Sequence, residues 1–291
     1  MDIRSFLNKA NQIEIRIRKA INNQMHGNYA SVFKGSGIEF NDLRQYQYGD
    51  DVRHIDWNSS AKGHGTFVKI FKEEKEQTVF FVLDASASNE IGAANETKMD
   101  TIKEMAAVLS LSAIQEAGHI GFCCFTDKIE KFMAPAPGKK HGYRALSELF
   151  KVVPESKKTD LQEAIRFTLN ILKRKSLVII ISDFIDQDYE EILMSLGKKH
   201  DVVVLQIQDS RELHLPKLGI IPVYNPETGK TTYINSSSKG FQKLMTKNFQ
   251  QHPDDLAALC KKQKIDYVRI TAGQDYVQPL VKLFTIRKNE S

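Results

Sequence analysis

A run of apolar residues that ends in acidic and hydroxyl residues stands out in this sequence: Val79-Phe-Phe-Val-Leu-Asp-Ala-Ser-Ala-Ser88. A second apolar run, Leu177-Val-Ile-Ile-Ile-Ser-Asp183, ends in a similar way. Continuous apolar runs of strand length are typical of strands that are buried on both faces, as in the middle of a parallel sheet covered by helices. These two runs therefore predict central strands of an α/β sheet.

Outward from these runs, short β-branched or aromatic segments alternate with helical patterns. The predicted strands are Val79–Leu83, Ile120–Phe125, Leu177–Ile181, Val202–Ile207 and Tyr267–Ile270. Between the strands, apolar residues recur at helical spacing, as at Ile102, Met105 and Leu109, so each helix is expected to bury one stripe on the sheet. This alternation predicts a doubly wound, mostly parallel sheet with helices on both faces.

Two segments depart from the strand–helix alternation. Lys128–Met133 follows a strand closely and predicts a short antiparallel edge strand, which Pro135 and Pro137 are expected to end. Leu213–Ser238 predicts an inserted β-hairpin with its turn around Asn225–Gly229, because turn residues there lie between two apolar segments. Helical patterns return after the hairpin, at residues 240–264 and Val277–Phe284.

The part of the chain before the first central strand follows no such alternation. The domain prediction is therefore an N-terminal segment at residues 1–77 and an α/β domain at residues 78–285, with the hairpin insertion at about 213–238. In the N-terminal segment, five charged residues precede the single tryptophan: Arg44, Asp50, Asp51, Arg53 and Asp56. These charges predict either a buried ion-pair lattice around Trp57 or a surface that binds a partner.

Composition excludes several classes of protein. With 41% apolar and 26% charged residues in 291, the chain resembles an ordinary globular protein, and no segment approaches the ~20 apolar residues of a membrane span. A net charge of +5, spread among acidic residues, does not suggest nucleic-acid binding. Met1–Ala20 lacks the apolar core of a secretory signal, which predicts a cytoplasmic protein. Cys123, Cys124 and Cys260 predict reduced core thiols.

Polar side chains follow the two apolar runs and open one of the helices. Asp84, Ser86 and Ser88 follow the first run, Asp183 follows the other, and Thr159 stands at the start of a predicted helix. In an open parallel sheet, ligands bind beyond the carboxyl ends of the strands, where these residues are expected to meet. Hydroxyl and carboxylate oxygens suit Mg²⁺, or Mn²⁺ in its place. The sequence thus predicts a metal site with an open coordination position.

Each of these residues also has a purely structural interpretation. Asp84 at a strand end can hold a loop by a hydrogen bond, and Ser86 and Ser88 are common in turns and caps. Thr159 with Gln162 fits a capping box at the start of a helix. The conjunction of all three segments is what favours the metal site over these separate interpretations.

Enzyme signatures are weak in this sequence. A haloacid-dehalogenase-type phosphotransferase needs a second carboxylate two residues after Asp84, where this chain has Ser86. Neither a Gly-x-Ser-x-Gly elbow nor a phosphate-binding Gly-x-x-x-x-Gly-Lys-Ser/Thr loop is present, and the eight histidines are scattered singly. We therefore predict that the protein is not an enzyme. A metal-dependent hydrolase of unrecognised type is the alternative.

The predicted ligand set resembles a known metal site. Asp84-x-Ser86-x-Ser88, Thr159 and Asp183 are similar to the metal-ion-dependent adhesion site of von Willebrand factor A domains and integrin inserted domains. The resemblance implies a von Willebrand factor A-like fold. It also implies that the three hydroxyl residues bind the metal and that the two aspartates do so directly or through water.

A second resemblance covers about residues 14–285. Gly35-Ser-Gly-Ile-Glu-Phe40, Asp42-Leu-Arg-Gln-Tyr46 and Gly49-Asp-Asp-Val-Arg-His-Ile-Asp-Trp57 are similar to the signature of the bacterial domain-of-unknown-function family fifty-eight. Where the signature usually continues with alanine and arginine, this chain has Ala61 and Lys62. The resemblance implies a partner, a MoxR-type AAA+ ATPase. It implies that the protein is a metal-dependent protein-binding adaptor in the assembly or maturation of other proteins.

Overall fold

The computed structural model describes residues 12, 15, 38–48, 50–61, 65–73, 77–93, 96–115, 118–213, 218–225, 229–246, 249 and 251–290. Some of the predictions above fall outside this set. They concern most of Met1–Ala20, Gly35–Gly37, Gly49, Lys62 and the tip of the predicted hairpin turn, residues 226–228.

Strands and helices alternate along most of the described chain. The strands are β1 (Ile38–Gln45), β2 (Phe67–Glu73), β3 (Thr78–Asp84), β4 (Gly92–Ala93), β5 (Glu96–Thr97), β6 (His119–Phe125), β7 (Ile129–Ala136), β8 (Leu177–Ser182), β9 (Asp201–Gln208), β10 (Ile220–Asn225), β11 (Lys230–Asn235) and β12 (Asp266–Thr271). The helices are α1 (Trp57–Ser60), α2 (Lys98–Gln115), α3 (Lys139–Phe150), α4 (Leu161–Ile171), α5 (Glu190–Lys199), α6 (Ser210–Leu213), α7 (Lys239–Thr246), α8 (His252–Lys262) and α9 (Val277–Glu290). Short 3₁₀ turns lie at Val52–His54 and Ala87–Glu90.

A six-stranded sheet in the order β12-β9-β8-β3-β6-β7 forms the middle of the α/β domain. All its neighbours are parallel except β6 and β7. The two continuous apolar runs form β3 and β8, the two central strands, as predicted. All five predicted strands match the observed ones to within one residue at each end.

Alternate residues of the sheet face two separate apolar cores. Phe81 packs in a core with residues of α2, α3 and α9, whereas Phe80 packs in a core with residues of α4, α5 and α8. Helices therefore cover both faces, as predicted. The expectation that each helix buries one stripe is wrong for α2, which buries residues on all its sides, because α3 packs against it and Tyr276 donates a hydrogen bond to Glu104.

The edge strand β7 extends beyond its prediction. The strand continues past Pro135 to Ala136 and ends directly before Pro137, so the prediction holds for Pro137 and is wrong for Pro135. Within the sheet β7 pairs with β6 alone. In an edge strand a proline costs little, because its nitrogen need not donate a hydrogen bond to a second neighbouring strand. Gly121 lets this segment approach, because a Cβ at Gly121 would lie 2.6 Å from the Pro135 nitrogen.

The predicted hairpin is confirmed as a separate antiparallel pair of β10 and β11. Its base is closed where the Ser236 N–H donates to the Gly219 carbonyl at 2.8 Å. The expected return to helix at residues 240–264 is confirmed by α7 and α8. Pro253 stands at the start of α8, a position where proline favours the beginning of a helix.

The predicted buried ion-pair lattice around Trp57 is wrong. Trp57 is 69% exposed. Arg44 pairs with Asp50, and Arg53, whose side chain is 85% exposed, pairs with Asp51. Each arginine thus pairs with an acidic residue close to it in sequence. Such local ion pairs can form at the protein surface. The other interpretation of this segment, a partner-binding surface, stays a prediction.

Two predictions from composition can be compared with the described residues. None of the helices among these residues is long and apolar enough to cross a membrane. Cys123, Cys124 and Cys260 are free and buried, as predicted.

The separate hairpin generates a prediction about stability. Replacing residues 220–235 by Asn-Gly joins Gly219 to Ser236, whose backbones are already hydrogen-bonded. We expect the six-stranded sheet to keep its thermal transition to within about 3 °C, because among the described residues the replaced strands pair only with each other. Circular dichroism during heating measures this.

The control for this experiment is Gly121→Ala, which should lower the transition because its Cβ would meet β7 backbone. Loss of soluble protein in the hairpin replacement would contradict the prediction.

Candidate functional site

Asp84 and Asp183 lie at the ends of neighbouring central strands. In the parallel pairing of β3 and β8, Leu83 is opposite Ile181, so both aspartates follow at the same edge of the sheet. The chain leaves β3 toward β6 on one side and leaves β8 toward β9 on the other, which opens a crevice between the two strand ends. Asp84 is 0% and Asp183 2% exposed.

The Asp84 carboxylate is held on both sides. Its Oδ1 accepts the Ser86 N–H at 2.9 Å, and its Oδ2 accepts the Ser182 hydroxyl at 2.6 Å. Burial, together with the charge of Asp183, raises the pKa of Asp84 to about 6. A carboxyl group whose ionised form is this costly favours a nearby positive charge.

Ser86 and Ser88 place two hydroxyl groups beside this carboxylate. Their Oγ atoms are 3.0 Å apart, and the Asn89 side-chain amide donates to Ser86 Oγ at 3.2 Å. The 3₁₀ turn Ala87–Glu90 begins directly after Ser86 and makes this proximity possible, because its tight winding brings nearby side chains together. Ser86 is buried and Ser88 half-buried.

The loop that carries Thr159 packs against the loop that carries the two serines. The Ala87 N–H donates to the Lys157 carbonyl at 3.1 Å, and the Asp160 N–H donates to the Thr126 carbonyl at 3.0 Å. Thr159 is half-buried between these anchor points. The structure thus brings the segments of all five predicted ligand residues to one edge of the sheet.

The capping interpretation of Thr159 is wrong. The N-cap of α4 is Asp160, whose Oδ1 accepts the Glu163 N–H at 2.8 Å, and the Gln162 side chain donates instead to the Asp188 carbonyl. The helix begins one residue later than the capping box requires. Among the described residues, the Thr159 hydroxyl has no hydrogen-bond partner, which leaves it available to a ligand.

Lys98 is a part of this site that sequence reasoning missed. It is the first residue of α2 and is 0% exposed, and its Nζ donates to Asp183 Oδ2 at 2.9 Å and to Glu212 Oε1 at 2.7 Å. Burial lowers its pKa, but the two carboxylates outweigh burial and leave the pKa above its ordinary value. Lys98 continues the apolar stripe of Ile102 and Met105 by one helical turn, and this spacing is a signal that could have identified it.

The charges at this edge do not cancel. Asp84, Asp183 and Glu212 against Lys98 give three carboxylates and one ammonium, a formal charge of −2 when all are ionised. Burial also raises the pKa of Glu212, although Lys98 opposes this. Burial likewise raises the pKa of Asp186, which lies near Asp183. A divalent cation would balance the four groups.

The available donor atoms suit a hard divalent cation. Mg²⁺ prefers oxygen ligands, and hydroxyls, carboxylates and retained water satisfy it. The described residues contain no group of three or more His, Cys, Asp or Glu side chains placed to hold a metal ion. The predicted set contains two aspartates and three hydroxyl residues, so its fit rests on hydroxyl chemistry and on the excess negative charge.

An apolar cavity of about 180 Å³ opens beside Asp84, on the side of the sheet that α2 and α3 cover. Its lining is mainly apolar, with three charged residues: Leu83, Asp84, Ala85, Glu90, Met99, Ile102, Lys103, Cys124, Leu149, Val152, Val153 and Pro154. The carboxylate edge therefore adjoins a space that suits an apolar side chain.

Comparison with known proteins finds a family and uncharacterized relatives. A model of the family described as "Protein of unknown function DUF58" matches residues 42–254. An uncharacterized protein of Mycobacterium bovis is 25% identical over 220 residues, which are 75% of this chain and 69% of the relative. One of Mycobacterium avium is 22% identical over 158 residues, 53% of this chain and 93% of the relative.

Solved structures give weaker likenesses. The conserved hypothetical protein BatB from Bacteroides thetaiotaomicron is 15% identical with a TM-score of 0.47, covering 73% of this chain and 99% of that one. An uncharacterized membrane spanning protein from Vibrio fischeri is 12% identical with a TM-score of 0.25, covering 75% of this chain and 100% of that one.

The raised pKa of Asp84 generates a prediction about stability. The folded protein holds this proton more tightly than the unfolded chain, so stability falls as pH rises from about 4 to about 6. Asp84→Asn keeps the shape of the side chain but removes the charge. With chelator at about pH 7.5, we expect it to increase the free energy of unfolding by roughly 2 kcal/mol. Urea denaturation measures this.

At about pH 4.5 the gain should shrink to less than half, because Asp84 is then protonated in the folded protein but still largely ionised in the unfolded chain. Asp160→Asn is the matched control, since asparagine caps a helix as well as aspartate does, and it should change little at either pH. Destabilisation by Asp84→Asn at neutral pH would show instead that the fold requires this carboxylate.

Proposed function

This chain belongs to the DUF58 family, and on that premise we propose that it is a non-enzymatic, divalent-metal-dependent protein-binding adaptor. The observation that carries the proposal is the pair of buried carboxylates at the ends of β3 and β8, with three hydroxyl residues on adjoining loops and an unbalanced negative charge. In this proposal the site is a metal-ion-dependent adhesion site and the α/β domain is von Willebrand factor A-like.

Five residues would hold Mg²⁺, or Mn²⁺ in its place: Asp84, Ser86, Ser88, Thr159 and Asp183. Ser86, Ser88 and Thr159 supply hydroxyl oxygens, and the two aspartates act directly or through water. The Ser182 hydroxyl and the Ser86 N–H orient Asp84, and the Ile185 N–H orients Asp183 by donating to its Oδ1 at 3.1 Å. When bound, the metal supplies a Lewis-acid position that an acidic side chain of a partner can fill.

The partner in this proposal is a MoxR-type AAA+ ATPase, with which the protein acts in assembling or maturing other proteins. The cavity beside Asp84 supports a protein as the ligand, because a protein can offer an apolar side chain beside its acidic one. Free buried thiols support a reducing compartment such as the cytoplasm.

Metal-assisted hydrolysis is the alternative. Among the contacts of Asp84, hydroxyls and a backbone amide hold the carboxylate, and Ser86 stands where a phosphotransferase of the haloacid dehalogenase type has its acid/base carboxylate. These features support binding over catalysis. Turnover of phosphoester substrates by purified protein with Mg²⁺, lost in Asp84→Ala, would favour the alternative.

The proposal predicts a metal-dependent association. The purified chain should capture a MoxR-type AAA+ ATPase in the presence of Mg²⁺, and chelator should abolish capture. Thr159→Ala should reduce capture about tenfold or more, because it removes a hydroxyl ligand while sparing the core. Thr159→Ser is the matched control and should keep capture, since it keeps the hydroxyl.

Asp84→Ala should also abolish capture without unfolding the domain, which circular dichroism checks. Equal capture with Mg²⁺ and with chelator, or full capture by Asp84→Ala, would show that the metal site is not the contact. The exposed N-terminal segment around Trp57 would then be the better candidate for the binding surface.

A further inference from the structure

A buried lysine competes for one of the proposed metal ligands. The Lys98 ammonium lies within hydrogen-bonding distance of Asp183 Oδ2, at 2.9 Å, and its side chain is 0% exposed. The Lys98 backbone is fixed as well, because its N–H donates to the Ile91 carbonyl at 3.0 Å. A positive charge of the protein itself is thus held permanently against the metal site.

Resting on the proposed function, we infer that Lys98 determines the divalent-metal affinity of the site. Its ammonium repels the metal and occupies Asp183, so binding stays weak enough to be reversible. Glu212 governs how strongly Lys98 does this, because it accepts from the same ammonium at 2.7 Å.

The direction of each effect follows from charge. Removing the ammonium takes away a positive charge that repels the metal, and it frees Asp183 Oδ2. Both changes strengthen metal binding. Removing the Glu212 carboxylate takes away a negative charge and leaves Lys98 to pair with Asp183 alone, and both changes weaken metal binding. Because these groups are buried, salt screens them much less than it screens surface charges.

Lys98 also explains how the site tolerates the absence of metal. Three carboxylates buried together without a cation would be costly, since an unpaired buried charge destabilises a protein strongly. The ammonium pairs with two of them directly and offsets one unit of their negative charge. The chain can therefore stay folded in both the metal-free and the metal-bound state, which a reversible adaptor requires.

The test measures Mn²⁺ affinity of the full chain, without any partner, from the electron paramagnetic resonance signal of free Mn²⁺. We expect Lys98→Met to bind Mn²⁺ about tenfold or more tighter than wild type, and Glu212→Gln to bind it about tenfold or more weaker, as the loss of a nearby unit charge in a buried site implies. A purely structural role would not move affinity in opposite directions.

Two further variants serve as controls for this test. Lys175→Met removes an exposed lysine just before β8, at the opposite edge of the sheet, and should leave affinity unchanged. If Lys98→Met does not fold, the double variant Lys98→Met/Glu212→Gln avoids the unpaired carboxylate of Glu212 and should bind Mn²⁺ more tightly than Glu212→Gln.

The outcomes separate this inference from the proposed function. If wild type and all variants fail to bind Mn²⁺, the proposed metal site is wrong and this inference falls with it. If wild type binds Mn²⁺ and the Lys98 variants bind it equally or less tightly, only the role of Lys98 is overturned.

Discussion

Two carboxylates, Asp84 and Asp183, are buried beside each other at the ends of the central strands, and their mutual repulsion constrains what surrounds them. Each needs hydrogen-bond donors or a positive charge, because a buried charge without a partner is strongly destabilising. Ser182 donates to Asp84 from the neighbouring strand, and Lys98 donates to Asp183 from the start of α2. The turn after β3 and the packing of α2 on the sheet both serve this requirement.

The rigidity of the sheet explains why these groups stay so close. β3 and β8 are buried on both faces between two apolar cores, so their backbones cannot move apart without opening the cores. Strand ends in such a sheet are rigid positions, and side chains placed there are held in a fixed geometry. The two carboxylates are thus held at the ends of strands that are buried on both faces.

The negative charge of the buried carboxylates can be balanced by the protein itself or by a bound cation. Lys98 supplies one positive charge from the protein, and the proposed metal supplies the remainder. The apolar cavity beside Asp84 gives a protein ligand a second point of attachment. In the proposed function, these three features make binding depend on metal, on an acidic partner and on the internal competition for Asp183.

The sequence alone was enough to identify the sheet and the two aspartates. Continuous apolar runs identify central strands because burial on both faces requires them, and Asp84 and Asp183 follow those runs directly. The start of α4 was misplaced by one residue, because Thr159 and Asp160 are both good caps and only the packed loop selects Asp160. Trp57 was misjudged because charges near an aromatic residue do not show whether it is covered.

The tertiary structure alone decided the partners of the buried charges. Lys98 and Glu212 are separated by 114 positions in sequence, and the helical spacing that places Lys98 on a buried stripe does not show which carboxylates it meets. Only the packing of α2 on the sheet brings the Lys98 ammonium to Asp183. Local periodicity therefore determined where the carboxylates stand, and long-range packing determined which positive charge meets them.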